Sequence, residues 1–303
     1  MADIIKIEHL FKNYGAVKAV QDLSFKVKEG ELFAFLGVNG AGKSTTISVI
    51  CGTLEKDSGS VYIDGVNFDN GAENVKRSIG VVFQNSVLDK ALSAYDNLKH
   101  RASLYGIVGD KFEKRLDELT NLLDFKDFVD RPINKLSGGQ KRKIDIARAL
   151  IHKPKILILD EPTTGLDPQT RTTMWKVIGD LRKKENITVF LTTHYMEEAA
   201  DADYVVIIDS GKIVAEGTPH DLKDKYAKDF ITIYGVSEQD VKKLALAYEK
   251  VVDGFRLAIS NTAKATEIIL SNPHLFKDFE VAKGKMDTVF LNVTGKSLVE
   301  DKK

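Results

Sequence analysis

Nine residues, Gly37-Val38-Asn39-Gly40-Ala41-Gly42-Lys43-Ser44-Thr45, separate the apolar run Leu32 to Leu36 from a helical stretch over Thr46 to Ile50. The spacing G-x-x-x-x-G-K-S between a strand and a helix is that of a phosphate loop. Its glycines let the backbone wrap phosphate oxygens, and the bare N–H groups and helix dipole supply positive potential. Lys43 then reaches the terminal phosphates, and the Ser44 hydroxyl ligates magnesium.

Other residues with chemical potential lie downstream. The apolar strand Ile156 to Leu159 ends in Asp160 and Glu161. Beside a phosphate loop, the two carboxylates suggest distinct roles: Asp160 in a magnesium shell, and Glu161 orienting or deprotonating the attacking water. Gln84 and His194 also close strands, Ile79 to Phe83 and Ile187 to Leu191. Each has two readings, an ordinary loop or structural residue, or a group on the ligand-binding edge of an α/β sheet. There, Gln84 would place its amide oxygen on metal or water, and His194 would donate to a γ-phosphate.

Leu136-Ser137-Gly138-Gly139-Gln140 opens a helix whose apolar face is Ile144, Ala147 and Leu150 or Ile151. Ser137 caps it, and the bare N–H groups of its first turn form an anion site or an unremarkable helix start. Tyr14, beside a turn at Asn13 to Gly15, is either a stacking platform or a half-buried tyrosine.

The elements that must position these groups follow from periodicity. Strands are expected over Ile4 to Phe11, Leu23 to Val27 and Ser60 to Ile63, and helices over Tyr95 to Tyr105 and Lys111 to Leu123. The helix from Gln169 to Lys184 turns Trp175 and Ile178 inward, Tyr195 to Ala202 is helical, and Tyr204 to Glu216 forms a hairpin-like pair. A helix over Asp221 to Ala227 closes this unit. The tail then alternates: strand 230–234, helix 238–247, strand 254–259, helix 263–270, strand 276–281 and helix 287–293, as in a small α+β sandwich.

Lys plus Arg equals Asp plus Glu at 44 each, so no global field favours nucleic acid. Residues 231–303 carry eleven basic and ten acidic side chains, far from the excess of a nucleic-acid tail. The single cysteine, Cys51, excludes an internal disulfide and a cysteine-rich zinc site, and is expected to pack. The N-terminal residues lack a signal-peptide pattern, and no apolar run approaches the ~20 residues that span a bilayer.

With the phosphate loop, Gln84, Leu136 to Gln140, Asp160-Glu161, Gly165-Leu166-Asp167 and His194 in this order, the chain resembles the ATP-binding subunit of ABC transporters. The resemblance implies an α/β fold: a P-loop NTPase core with an antiparallel β subdomain and a helical insertion, plus a small C-terminal α+β domain. Residues 1–228 form the ATPase domain, with the helical subdomain at about 92–152, and 229–303 the accessory domain. Carried over, Tyr14 stacks on adenine, and Gly37, Asn39, Gly40, Ala41, Gly42, Lys43, Ser44 and Thr45 hold the phosphates. Ser44, Gln84 and Asp160 hold Mg2+, while Lys43, Gln84, Glu161 and His194 serve hydrolysis. Ser137, Gly138, Gly139, Gln140 and Asp167 approach the nucleotide of a second copy in an ATP-dependent, head-to-tail homodimer.

Two stretches, Thr192 to Ala199 and Met286 to Gly295, resemble ATPases of drug-resistance, polysaccharide and other small exporters. These pair with a membrane-spanning permease subunit, which implies a peripheral position on the cytoplasmic face of the membrane. Asp96 departs from that pattern, where many relatives carry glutamate. The alternative is a soluble ABC-type ATPase acting on nucleic acid or the ribosome. Its usual second cassette, coiled-coil insertion and zinc cysteines are missing from this sequence, so no nucleic-acid partner is expected.

Overall fold

The computed structural model describes residues 2–296. The first elements are β1 (Asp3–Tyr14), β2 (Val17–Lys28), β3 (Leu32–Leu36), α1 (Lys43–Ile50), β4 (Ser58–Ile63), β5 (Val66–Asn67), α2 (Phe68–Ser78) and β6 (Ile79–Val82). Three helices follow, α3 (Ala94–Ser103), α4 (Asp110–Leu123) and α5 (Gly138–Leu150). Next come β7 (Ile156–Asp160), α6 (Pro168–Glu185), β8 (Thr188–Thr193), α7 (Met196–Ala200), β9 (Tyr204–Asp209), β10 (Lys212–Gly217) and α8 (Pro219–Tyr226). The tail is β11 (Asp229–Tyr234), α9 (Glu238–Lys243), β12 (Tyr248–Val251), β13 (Gly254–Ile259), α10 (Thr262–Ser271), β14 (Phe279–Ala282) and α11 (Met286–Thr294).

A six-stranded sheet, ordered β10-β9-β3-β8-β7-β6, is parallel except for β10. Its central strand β3 is apolar throughout because both faces are covered. Leu32, Ala34 and Leu36 meet α5, α6 and α7 on one side. Phe33 and Phe35 turn to the other side, where α1 lies between this sheet and the antiparallel sheet β2-β1-β4-β5. The parallel strands therefore deliver their carboxyl ends, Gly37, Gln84, Glu161 and His194, to one edge. The helices α3, α4 and α5 share an apolar seam, including Leu98, Leu119 and Ala147, that continues into the core.

Several elements differ from the sequence expectations. Helix α2 was not anticipated, because its segment contains two asparagines and Gly71, which is non-helical at φ −153°. Helix α9 ends at Lys243 rather than 247, and Ala245, at φ 53°, turns the chain into the unexpected strand β12. Strand β14 begins at Phe279, since Phe276 is drawn into the small module's own core. Met174 joins Ile178 in the core, and Trp175 is half-buried against it.

The largest difference concerns α11. The accessory sheet β12-β13-β11-β14 has its own core around Ile231, Ile233 and Leu257. Helix α11, however, returns to the ATPase body, where Met286, Val289 and Phe290 join the core that contains Met196, Ala199 and Leu222. Asn292 Nδ2 donates to the Tyr226 carbonyl at 2.7 Å. The α+β unit is thus held at both ends by α8 and α11. Residues 297–303 of the expected C-terminal domain lie outside the described residues.

This packing makes Phe290 a residue of the ATPase core. Phe290→Ala is expected to cost about 3–5 kcal/mol of stability in urea unfolding, whereas exposed Leu270→Ala changes it by less than about 0.5 kcal/mol. Equal effects from the two variants would contradict the docking of α11.

Candidate active site

The phosphate loop has the backbone that its sequence requires. Gly40 and Gly42 adopt φ 82° and 110°, and a side chain at Gly42 would meet the Ala19 carbonyl at 2.5 Å. Gly42 caps α1, and Thr46 Oγ1 donates to its carbonyl at 2.9 Å. Lys43 is buried, and its ammonium donates to the carbonyls of Gly37 at 2.7 Å and Val38 at 3.2 Å. The same nitrogen lies 3.3 Å from Glu161 Oε1. Burial pushes the ammonium pKa down, opposed by Glu161. Ser44 at the start of α1 is exposed.

The end of β7 carries the carboxylates. Asp160 accepts a hydrogen bond from Thr192 Oγ1 at 2.6 Å, and burial pushes its pKa up. Glu161 turns the chain at φ 44°, with its N–H bonded to the Thr192 carbonyl and hydroxyl, each at 3.1 Å. Gln84 Nε2 donates to Glu161 Oε2 at 3.2 Å. His194 Nδ1 is 3.3 Å from the same oxygen, an ion-pair contact without the alignment of a hydrogen bond. His194 first, then Lys43, draws the Glu161 carboxyl down to about 2 against the opposing effect of burial.

Lys43, Gln84, Asp160, Glu161 and His194 are therefore brought together, as the sequence suggested. Four buried polar residues beside them were not foreseen. Thr192 serves both carboxylate positions, while Thr163 and Thr193 both donate to Glu198, with Thr193 Oγ1 at 2.6 Å. Their signal was polar residues at apolar positions: two threonines ending β8 and a glutamate on the buried side of α7.

The Ser137 stretch makes separate contacts. Ser137 Oγ accepts from the Gln140 N–H at 3.2 Å, and the Gln140 side chain accepts from the Ser137 N–H at 2.9 Å, a reciprocal capping box. Ser137, Gly139 and Gln140 line a cavity of about 220 Å3 with Leu166, Thr170 and Met174, and Lys43 does not line it. Asp167 caps α6, accepting the Thr170 N–H at 2.9 Å, and is exposed. Tyr14 ends β1 with half its surface exposed, 5.9 Å from the Lys12 ammonium. Asp57 fixes that corner by binding Lys12 and Asn13.

The donor set suits a hard cation. Ser44, Gln84 and Asp160 offer oxygens, and no cluster of three His, Cys, Asp or Glu occurs among the described residues. Such a sparse shell fits Mg2+, which keeps waters and shares substrate phosphates.

The profile of the ABC transporter family matches residues 20–164. The linearmycin resistance ATP-binding protein LnrL of Bacillus subtilis (strain 168) is 34% identical over 310 residues, covering 97% of this chain and 99% of that protein. A Nod factor export ATP-binding protein I of Ralstonia nicotianae is 37% identical over 234 residues, covering 77% and 73%. Among solved structures, the dimeric ATP-binding cassette MJ0796, in a post-hydrolysis state bound to ADP and Pi, superposes with a TM-score of 0.64 at 27% identity, covering 71% of this chain and 98% of that one. Together with the arrangement at the sheet edge, these similarities establish that the chain belongs to the ABC transporter family, as an ATP-binding and ATP-hydrolysing subunit.

Proposed function

We propose that the chain is the motor of an exporter, hydrolysing ATP in a head-to-tail homodimer that drives a membrane-spanning permease from the cytoplasmic face. The observation that carries this reading is the separation of two phosphate-binding features. The loop Gly37 to Thr45 converges with Glu161 and His194, whereas the N-terminus of α5 is capped within its own turn and faces α6. One face of a triphosphate would be bound by Lys43 and Ser44, and its other face would need a helix N-terminus from a second chain. The names of LnrL and the Nod factor protein, and the dimer of MJ0796, support this direction. No helix among the described residues is long and apolar enough to cross a membrane, so this reading places the transport path in the permease.

Within each site, Lys43 would exchange its loop carbonyls for phosphate oxygens and Tyr14 would stack on the base. Asp160, Ser44 and Gln84 would hold Mg2+, which would supply charge neutralisation at the phosphates. Glu161, with its carboxyl at about 2, is ionised throughout the physiological range and accepts a hydrogen bond from water. It is a weak base while Lys43 lies against it. Transfer of that ammonium to phosphate removes the Lys43 charge that helps depress it, and so raises its basicity when substrate is in place. His194, beside Glu161, donates to the γ-phosphate.

Lys43→Ala is expected to reduce ATP hydrolysis by about 10²–10³-fold in a phosphate-release assay; full activity would remove Lys43 from this role. Glu161→Gln with ATP and magnesium is expected to accumulate as a dimer in sizing and light-scattering measurements. A chain that stays monomeric under those conditions contradicts the paired reading.

A further inference from the structure

Arg142 lies on α5, five residues beyond Ser137, with its side chain buried. Its guanidinium donates from Nε to the Pro162 carbonyl at 2.8 Å and from Nη1 to the Phe83 carbonyl at 2.6 Å. Phe83 directly precedes Gln84, and Pro162 directly follows Glu161. The pairing of β6 with β7 ends at Val82 and Leu159, so Arg142 bridges the two strands where their own ladder stops. Glu161 occupies the left-handed region at φ 44°, a conformation that persists when its surroundings over-determine it. Thr192 holds the N–H on one side of that turn and Arg142 holds the carbonyl on the other. Asp145, one turn along α5, and Asp160 compensate its charge, and Asp145 accepts a hydrogen bond from Ser86 Oγ at 3.0 Å. An apolar residue would fill this space without burying a guanidinium whose Nη2 has no partner.

We propose that Arg142 is a positioning residue for ATP hydrolysis, holding the backbone beside Gln84 and Glu161 so that the two side chains meet. The inference rests on the roles given above to Gln84 and Glu161. It also gives α5 a physical link between its Ser137 end and the hydrolytic edge of the same chain.

The test uses full-length Arg142→Met and Arg142→Lys, with Arg115→Met as the control. Arg115 is a second buried arginine, on α4, and donates to the Leu150 carbonyl at 2.7 Å. Arg142→Met is expected to lower kcat per folded molecule by ~10²-fold, with KM for ATP within about threefold of wild type. The amides of Glu161 and Thr164, bonded to Thr192 and Glu161, should exchange hydrogen faster in this variant. Arg142→Lys, which keeps the charge but loses the planar fork that spans the two carbonyls, should fall between, and Arg115→Met should keep wild-type kcat. Folded Arg142→Met with wild-type kcat and exchange overturns the proposal, as does a KM rise at constant kcat or an equal kcat loss in Arg115→Met. Where Arg142→Met does not fold, Arg142→Lys decides, and wild-type kcat and exchange in it overturn the proposal. Full hydrolysis by Glu161→Gln would instead refute the role of Glu161, whatever Arg142 does.

Discussion

The site depends on an ion pair, Lys43 to Glu161, buried where β3 and β7 end. Removing one partner of such a pair leaves an uncompensated charge, at a cost of about 3–5 kcal/mol. The surrounding structure is arranged to meet that demand. Two loop carbonyls solvate the ammonium, while Gln84 and His194 lie against the carboxylate. In the proposed mechanism, a phosphate that takes Lys43 would leave Glu161 supported and more basic, which would tie its chemistry to the presence of substrate.

Much of this edge was legible from sequence because its signals are local. A phosphate loop declares itself through glycines whose positive φ no other residue adopts cheaply, and Asp160-Glu161 stands out as charge at the end of an apolar strand. The gathering of Gln84 and His194 on that edge then follows from the rule that ligands bind at the carboxyl ends of parallel strands. Thr192, Glu198 and Arg142 were not legible in the same way. Their polarity at buried positions is visible, but not their partners: Arg142 and Phe83 are 59 residues apart, Thr192 and Asp160 32, and Glu198 and Thr163 35. The docking of α11 was illegible for a related reason: the helix has the apolar spacing of any amphipathic helix, and periodicity does not say which core receives it.

The position of α11 changes how the tail relates to the motor. Its apolar face meets α7, the helix that begins two residues after His194, so the small sheet is not suspended from a free linker. The capping box of α5 engages Ser137 and Gln140 with each other rather than with the phosphate loop of the same chain. That arrangement favours a nucleotide site finished from outside.

That central claim is tested most directly by mixing two inactive chains, Lys43→Ala and Ser137→Arg. If each site combines the phosphate loop of one chain with the Ser137 helix of another, a mixed dimer holds one site free of both substitutions. An equimolar mixture should then hydrolyse ATP at up to about a quarter of the wild-type rate under random pairing, while each variant alone is silent. A mixture as silent as its components would contradict the account, because it would mean that both halves of the site belong to a single chain.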